Sequence, residues 1–170
     1  ILLNKKLEKE RLNKILEMSS LNQDLKLIKD RLEKRVGEGG DALNLSQKTK
    51  VGLAQCMYQN CDVYLFNDIM SCFDTVTGDF VMENTLAKYL KDKTRILVTT
   101  SVSHLGYADY IYFVENNSVA LQGGFEAVKN SGMYLENKKL EEELNLQTRQ
   151  PDTVKGAGVD SHGKRESRQD

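Results

Sequence analysis

Apolar residues recur along this chain with two different spacings, and the change between them divides it. Over 7–16, Leu7, Leu12, Ile15 and Leu16 stand among Lys, Glu and Arg at a helical period, with Asn13 and Lys14 on the polar side. Ser19 and Ser20 interrupt it, and a second helical pattern follows with Leu21, Leu25, Leu27, Ile28 and Leu32. The spacing is not sustained over three heptads, which argues against a coiled coil and for a small helical subdomain over 1–36. Gly37-Glu38-Gly39-Gly40 then predicts a loop, because glycine disfavours helix interiors. From Asn44 or Ser46, both N-cap residue types, a helix is predicted to about Gln59. Val51, Ala54 and Tyr58 form its expected buried stripe, flanked by Leu53 and Met57.

The spacing changes at Val63, Tyr64, Leu65 and Phe66, an unbroken apolar run between polar ends. It predicts a short strand buried on both faces, as in a parallel sheet covered by helices. After Asp74, a polar loop with Gly78 is expected to lead into a helix over 79–90, with Phe80, Val81, Leu86, Tyr89 and Leu90 facing the core. The β-branched run over 95–100 predicts a second parallel strand ending in the hydroxyl residues Thr99 and Thr100. A helical turn over 103–108 precedes strands at 110–114 and 119–121. Asn116-Asn117 joins these two as a hairpin turn, since asparagine tolerates left-handed backbone. The region 125–146 is mostly helical in pattern. Past Gln147 apolar residues nearly vanish, which predicts a disordered tail over 148–170 with His162 as a spectator in it.

Composition narrows the functional classes. A length of 170 residues with 39% hydrophobic content fits one domain with a real core and a tail. The net charge of -1, from 24 basic and 25 acidic residues, provides no overall field for nucleic acid or an anionic membrane, so any anion site must be local. No apolar run approaches the roughly 18 residues that span a bilayer, and no signal-peptide pattern opens the chain. The chain by itself is expected to be soluble and, starting on Ile1, to be a piece of a longer protein. Cys56, Cys61 and Cys72 are odd in number, with no C-x-x-C and no paired histidines nearby. Buried reduced thiols in a cytosolic compartment are expected rather than a disulfide framework or zinc site.

Candidate chemistry concentrates at strand ends, because ligands in parallel sheets sit beyond the carboxyl ends of the strands. Asn67 and Asp68 follow the first strand directly and would face such a crevice.

The motifs come in a fixed order. Gly37-Glu38-Gly39-Gly40 looks like a G-E-x-G lead-in, and Asp62-Val63-Tyr64-Leu65-Phe66-Asn67-Asp68 like a Walker B strand, D-[IV]-Y-L-[FL]-D-[DE]. Ser71-Cys72-Phe73-Asp74 looks like a D-loop S-A-[LV]-D, and Lys93-Thr94-Arg95-Ile96-Leu97-Val98-Thr99-Thr100-Ser101 like K-T-R-I-L-V-T-H. Leu121-Gln122-Gly123-Gly124-Phe125 is similar to a closing G-x-[YH]-x-E-L segment, with Glu126 one place early. Over 1–131 the chain resembles the C-terminal half of the nucleotide-binding domain of an ABC transporter, most like the multidrug-resistance-associated (C) subfamily. The resemblance implies an α/β fold: an incomplete P-loop NTPase-like parallel sheet flanked by helices, with an α-helical subdomain over 1–36. It implies the C-terminal part of that domain over 37–131, and a helical extension over 132–147 follows.

The same resemblance implies ATP and Mg2+ as cofactors. It implies a second nucleotide-binding domain and transmembrane domains as partners, no nucleic acid, and a place on the cytoplasmic side of a membrane. In the family two domains sandwich two ATP molecules. One face offers a Walker A loop and the other the signature L-S-G-G-Q at a helix N-terminus, where free N–H groups and the macrodipole attract the γ-phosphate. Carried over, the signature positions are Asn44, Ser46 and Gln47, and the metal-side Walker B position is Asn67. The position that orients the attacking water is Asp68, the D-loop carboxylate is Asp74, and the switch position is Thr100.

The departures fall on these chemical positions. Aligned without a gap, the signature reads Leu43-Asn44-Leu45-Ser46-Gln47, without its glycines; aligned with one, Asn44-Leu45-Ser46 matches N-L-S and both glycines are deleted. Asn67 lacks the charge that magnesium favours. Thr100 stands where the family has a histidine, and His104 lies four residues on. No Gly-Lys-Ser or Gly-Lys-Thr occurs, which fits truncation as well as loss. Two readings therefore stand: a cassette fragment with an altered site, in which Asp68 is the remaining catalytic group, or a platform that keeps the fold without nucleotide chemistry. A receiver-like phosphoacceptor at Asp68 is disfavoured, because no acidic pair or lysine occupies a matching strand end.

Overall fold

The structure, a computed structural model, describes residues 1–148; the expected tail lies outside them apart from Thr148, and so does His162. Two short helices open the chain, α1 (Lys9–Met18) and α2 (Leu21–Leu27). The Ser19-Ser20 break predicted from sequence is a left-handed corner, with Ser20 at φ 57°. α1 buries Ile15, Leu16 and Met18, whereas α2 buries only Leu21. The second helical pattern ends early: Leu27 is 89% exposed, and Leu32 sits in a single 3-10 turn, Arg31–Glu33. Asp30 and Arg31 adopt left-handed backbone, which breaks the helix before Leu32 can join its face.

The glycine loop forms as expected. Gly37, Gly39 and Gly40 all have positive φ, a region open to glycine at little cost. It delivers the chain to α3 (Leu45–Gln59), which buries Leu53, Ala54, Met57 and Tyr58. Asn60, left-handed at φ 56°, ends α3 and turns the chain into β1 (Val63–Asn67).

β1 pairs in parallel with β2 (Thr94–Val98), in a register running from Val63↔Thr94 to Asn67↔Val98. Tyr64 and Phe66 are buried, but Val63 is 53% exposed and Leu65 74%, matched by Ile96 and Val98 across the pair. The expected burial on both faces is therefore corrected. Helices cover one face of this two-stranded sheet, and no other described strand joins it. The all-apolar run would suit a sheet with two covered faces, which these residues alone do not assemble.

Between the strands, α4 (Thr75–Phe80) starts where a loop with Gly78 was expected. The Asp74 side chain caps it, and Gly78 is buried inside it. The helix continues in a wider, i→i+5 winding over Val81–Tyr89, shown by the Leu90 N–H donating to the Thr85 carbonyl at 2.9 Å. Thr85 is fully buried, and its hydroxyl donates to the Met18 carbonyl at the C-terminus of α1. Tyr89, expected in the core, is 37% exposed.

One contiguous core joins these parts: Ile15 and Met18 of α1, the α3 face, Tyr64 and Phe66 of β1, and Val81, Met82, Leu86 and Leu90. Tyr58 anchors the N-terminal segment to it. Its hydroxyl donates to the Lys6 carbonyl at 2.7 Å and accepts the Glu8 N–H at 2.9 Å, and the Arg11 guanidinium lies over its ring.

The second half is looser. β3 (Ile111–Glu115) and β4 (Ser118–Gly123) form an antiparallel hairpin through Asn116 and Asn117, both left-handed as the turn requires. The strand predicted over 95–100 stops at Val98, leaving Thr99 and Thr100 beyond it. The helical region resolves into α5 (Phe125–Val128) and α6 (Gly132–Thr148). Among the described residues no helix is long and apolar enough to cross a membrane.

Candidate functional site

The parallel pairing brings the ends of β1 and β2 side by side. Asn67 closes β1 opposite Val98, and the Asp68 N–H carries the ladder one step further by donating to the Val98 carbonyl at 2.7 Å. Asp68 itself is left-handed, at φ 48° and ψ 36°, a conformation costing a non-glycine residue about 1 kcal/mol. The Ser71 hydroxyl donates to the Asp68 carbonyl at 2.7 Å and steadies the turn. The Asp68 carboxylate has no hydrogen-bond partner among the described residues, and neither have the side chains of Asn67 and Thr100.

Past β2, the Thr99 hydroxyl accepts the Ser101 N–H at 3.1 Å, bending the chain at Thr100. Thr100 is exposed, two residues beyond the last ladder position. Ser101 and Val102 are held by the carboxylate of Glu141 on α6, a partner that local patterning gave no means to find. His104 turns away from the strand ends: its Nε2 lies 2.9 Å from Asp79 Oδ1 on α4, and its Nδ1 is buried without a partner.

The residues at the head of α3 form a separate, self-contained group. Asn44 and Gln47 make a reciprocal capping box. The Asn44 side chain accepts the Gln47 N–H at 2.9 Å, and the Gln47 side chain accepts the Asn44 N–H at 3.2 Å. The Gln47 amide nitrogen also donates to Asp24 Oδ1 at 3.1 Å, and the buried Lys50 ammonium reaches Asp24 Oδ2 at 2.8 Å. This network fastens α2 to α3. Ser46 is half-buried in the first turn, and Leu45 is 65% exposed.

Asp74 belongs to neither group. It accepts the Thr77 N–H at 2.9 Å and the Thr77 hydroxyl at 2.8 Å as the N-cap of α4. These bonds, the backbone N–H first, hold its carboxyl below the usual carboxylate range, with the charge of Lys50 adding to the effect. Tyr64, in contrast, has its phenol pushed up by burial.

The cysteine expectation is corrected: Cys56 and Cys61 are exposed and Cys72 is half-buried. Cys56 lies on the outward side of α3 and Cys61 in the turn before β1, where no core reaches.

The donor set at the strand ends, one neutral amide and one carboxylate, does not make a protein-built divalent site. Among the described residues no group of three or more His, Cys, Asp or Glu is placed to hold a metal ion. Asp68, half-buried and without a side-chain partner among the described residues, could orient a water or accept a proton there.

Comparison with known proteins places this geometry in context. No family model matches the chain. Among curated proteins, ABC transporter C family member 3 of Arabidopsis thaliana is 35% identical over 132 residues, 78% of this chain and 9% of the relative. ATP-binding cassette sub-family C member 4 of Mus musculus is 32% identical over 133 residues, 78% of this chain and 10% of the relative. Bile pigment transporter 1 of Saccharomyces cerevisiae is 35% identical over 133 residues, 76% of this chain and 8% of the relative. The chain thus spans about a tenth of the length of the curated relatives it matches. A bacterial Atm1-family ABC exporter solved with ATP bound shares the fold at a TM-score of 0.73 and 19% identity, over 82% of this chain and 24% of that one.

Proposed function

We propose, from the premise that this chain is a segment of the ABC transporter C-family (multidrug-resistance-associated) kind, that it is the C-terminal part of an ATP-binding cassette domain. In a full-length protein it would couple ATP binding to transmembrane transport, facing a second nucleotide-binding domain and resting on transmembrane domains. β1 and β2 would belong to the P-loop NTPase-like parallel sheet of that domain. The observation that carries the reading is the juxtaposition of Asn67 and Asp68 with the Thr99-Thr100 bend at adjacent ends of two parallel strands.

The site is altered for hydrolysis. Asp68 is the remaining group able to orient an attacking water, Asn67 would meet Mg2+ as a neutral ligand, and Thr100 would offer a hydroxyl to phosphate where a histidine could offer charge. In paired cassettes the Asn44, Ser46 and Gln47 turn would border the nucleotide held by the second domain, with Asp74 near that interface. Nucleotide bound at such a site would be hydrolysed slowly, if at all.

A second reading, the non-catalytic platform, is favoured by one specific observation. The Gln47 and Lys50 side chains are already committed to Asp24, so the head of α3 works as a joint between helices without any ligand.

The two readings separate in a turnover assay. The chain alone is expected to show neither micromolar binding of ATP–Mg nor phosphate release above background. Micromolar binding by the chain alone, or turnover that Asp68→Asn abolishes, would overturn that expectation. If the complete cassette bound no nucleotide either, the platform reading would stand.

A further inference from the structure

We propose that Glu141, on α6, is a positioning residue that latches this helix to the loop after β2 and so fixes the segment carrying Thr100. Its two carboxylate oxygens take separate donors: Oε1 accepts the Ser101 hydroxyl, and Oε2 accepts the Val102 N–H at 3.0 Å. The two donors are consecutive residues directly after Thr100, so one side chain spans the start of the loop. Hydrogen bonds to an ionised carboxylate are about twice as strong as neutral ones, and a two-pronged arrangement fixes direction as well as distance.

The Ser101 hydroxyl is the hub of the loop. While donating to Glu141 it accepts the Ser103 N–H at 3.3 Å, and the Ser101 N–H is bound by Thr99. Beyond Ser103, the His104–Asp79 contact at 2.9 Å ties the far end of the loop to α4. Losing the carboxylate therefore frees the hydroxyl and, with it, the near end of the loop.

The helix depends on the contact as well. Tyr134 meets the Phe125 ring edge-on, but further along Leu135 is 47% exposed and Leu140 52%. Apolar burial holds the middle of α6 only partly, and the polar clasp adds to its attachment. A crevice of about 240 Å³ lined by Val102, Ser103, Tyr134, Lys138 and Glu141 lets water compete for the carboxylate. That access makes the clasp reversible, in contrast to a buried lock. The loop and α6 thus form one unit that opens together, whatever ligand the strand ends take.

The test is amide hydrogen exchange followed by NMR on the full 170-residue chain. Glu141→Gln should speed exchange of the Val102 and Ser103 amides and of the middle of α6 by about tenfold or more, leaving the α3 core amides unchanged. Ser101→Ala, placed on the loop, should loosen α6 in return, and the double variant should go no further than Glu141→Gln alone. Glu141→Asp, which keeps the charge and shortens the reach, should fall between wild type and Glu141→Gln. Glu143→Gln, two residues along and exposed, should change neither element. Unchanged Val102 protection, additive effects in the double variant, or equal loss of protection in α3 would overturn the latch.

Discussion

The head of α3 and the ends of β1 and β2 carry similar side chains and use them in opposite ways. At the head of α3, Asn44, Gln47, Lys50 and Asp24 satisfy one another, and the buried ammonium has its carboxylate at 2.8 Å. At the strand ends, Asn67, Asp68 and Thr100 have no side-chain partners among the described residues, and Asp68 holds a left-handed backbone that costs stability. Polar groups that bind each other hold a fold together, whereas an unpartnered carboxylate on strained backbone adds nothing to it. The contrast separates a region whose polar groups are closed on one another from a region whose polar side chains stay unpartnered, although both fall in the same run of motifs.

Cutting the closed network should produce the largest effect. Asp24→Ala leaves the Lys50 ammonium buried, with a side chain only 8% exposed, and should cost about 3 kcal/mol by urea denaturation. A loss under about 1 kcal/mol would show that water already solvates Lys50 and that the α3 end is no more closed than the strand ends.

Asp74 tests the border between the two regions. Asp74→Ala removes the cap of α4 and should cost about 1 kcal/mol, whereas Asp74→Asn, an equally good cap type, should cost little at neutral pH. The folded pKa of Asp74 lies below its unfolded value, so its contribution is complete above the unfolded pKa of about 3.9 and is lost as pH falls through the folded one. Stability of the wild type should therefore decline more steeply than that of Asp74→Asn below about pH 4. Parallel acid profiles would contradict the role given to the Thr77 bonds.

The smallest effect is the most diagnostic in sign. Asp68→Gly relieves left-handed strain and should leave thermal stability unchanged or raise it by up to about 1 kcal/mol. A clear loss would mean that the carboxylate supports the fold and that the strand ends are not free.

Where residue identity alone sets geometry, the sequence was legible. Asn44, one of two N-cap types offered, starts α3, Gly37 to Gly40 supply positive φ, and Asn116-Asn117 turn the hairpin. What depends on tertiary layers was not. The run 63–66 reads as buried on both faces because all four residues are apolar, yet only Tyr64 and Phe66 find a covering layer. The start of α4 was hidden because Gly78 signals a loop, while the deciding contact is the Asp74 cap three residues before Thr77. At the site, the order of motifs brought Asn67, Asp68 and Thr100 to adjacent strand ends. The bond from Gln47 to Asp24, 23 residues earlier, and the hold of Glu141 on Ser101, 40 residues earlier, leave no trace in local spacing.

The contrast between closed and open ends is tested most directly by titrating ATP–Mg into the isotope-labelled chain and following its amide resonances. No saturation is expected in the micromolar range, with any shifts at high nucleotide confined to residues 67–68 and 99–101. Micromolar saturation, or shifts centred on Asn44 and Gln47 with the strand ends unmoved, would contradict it.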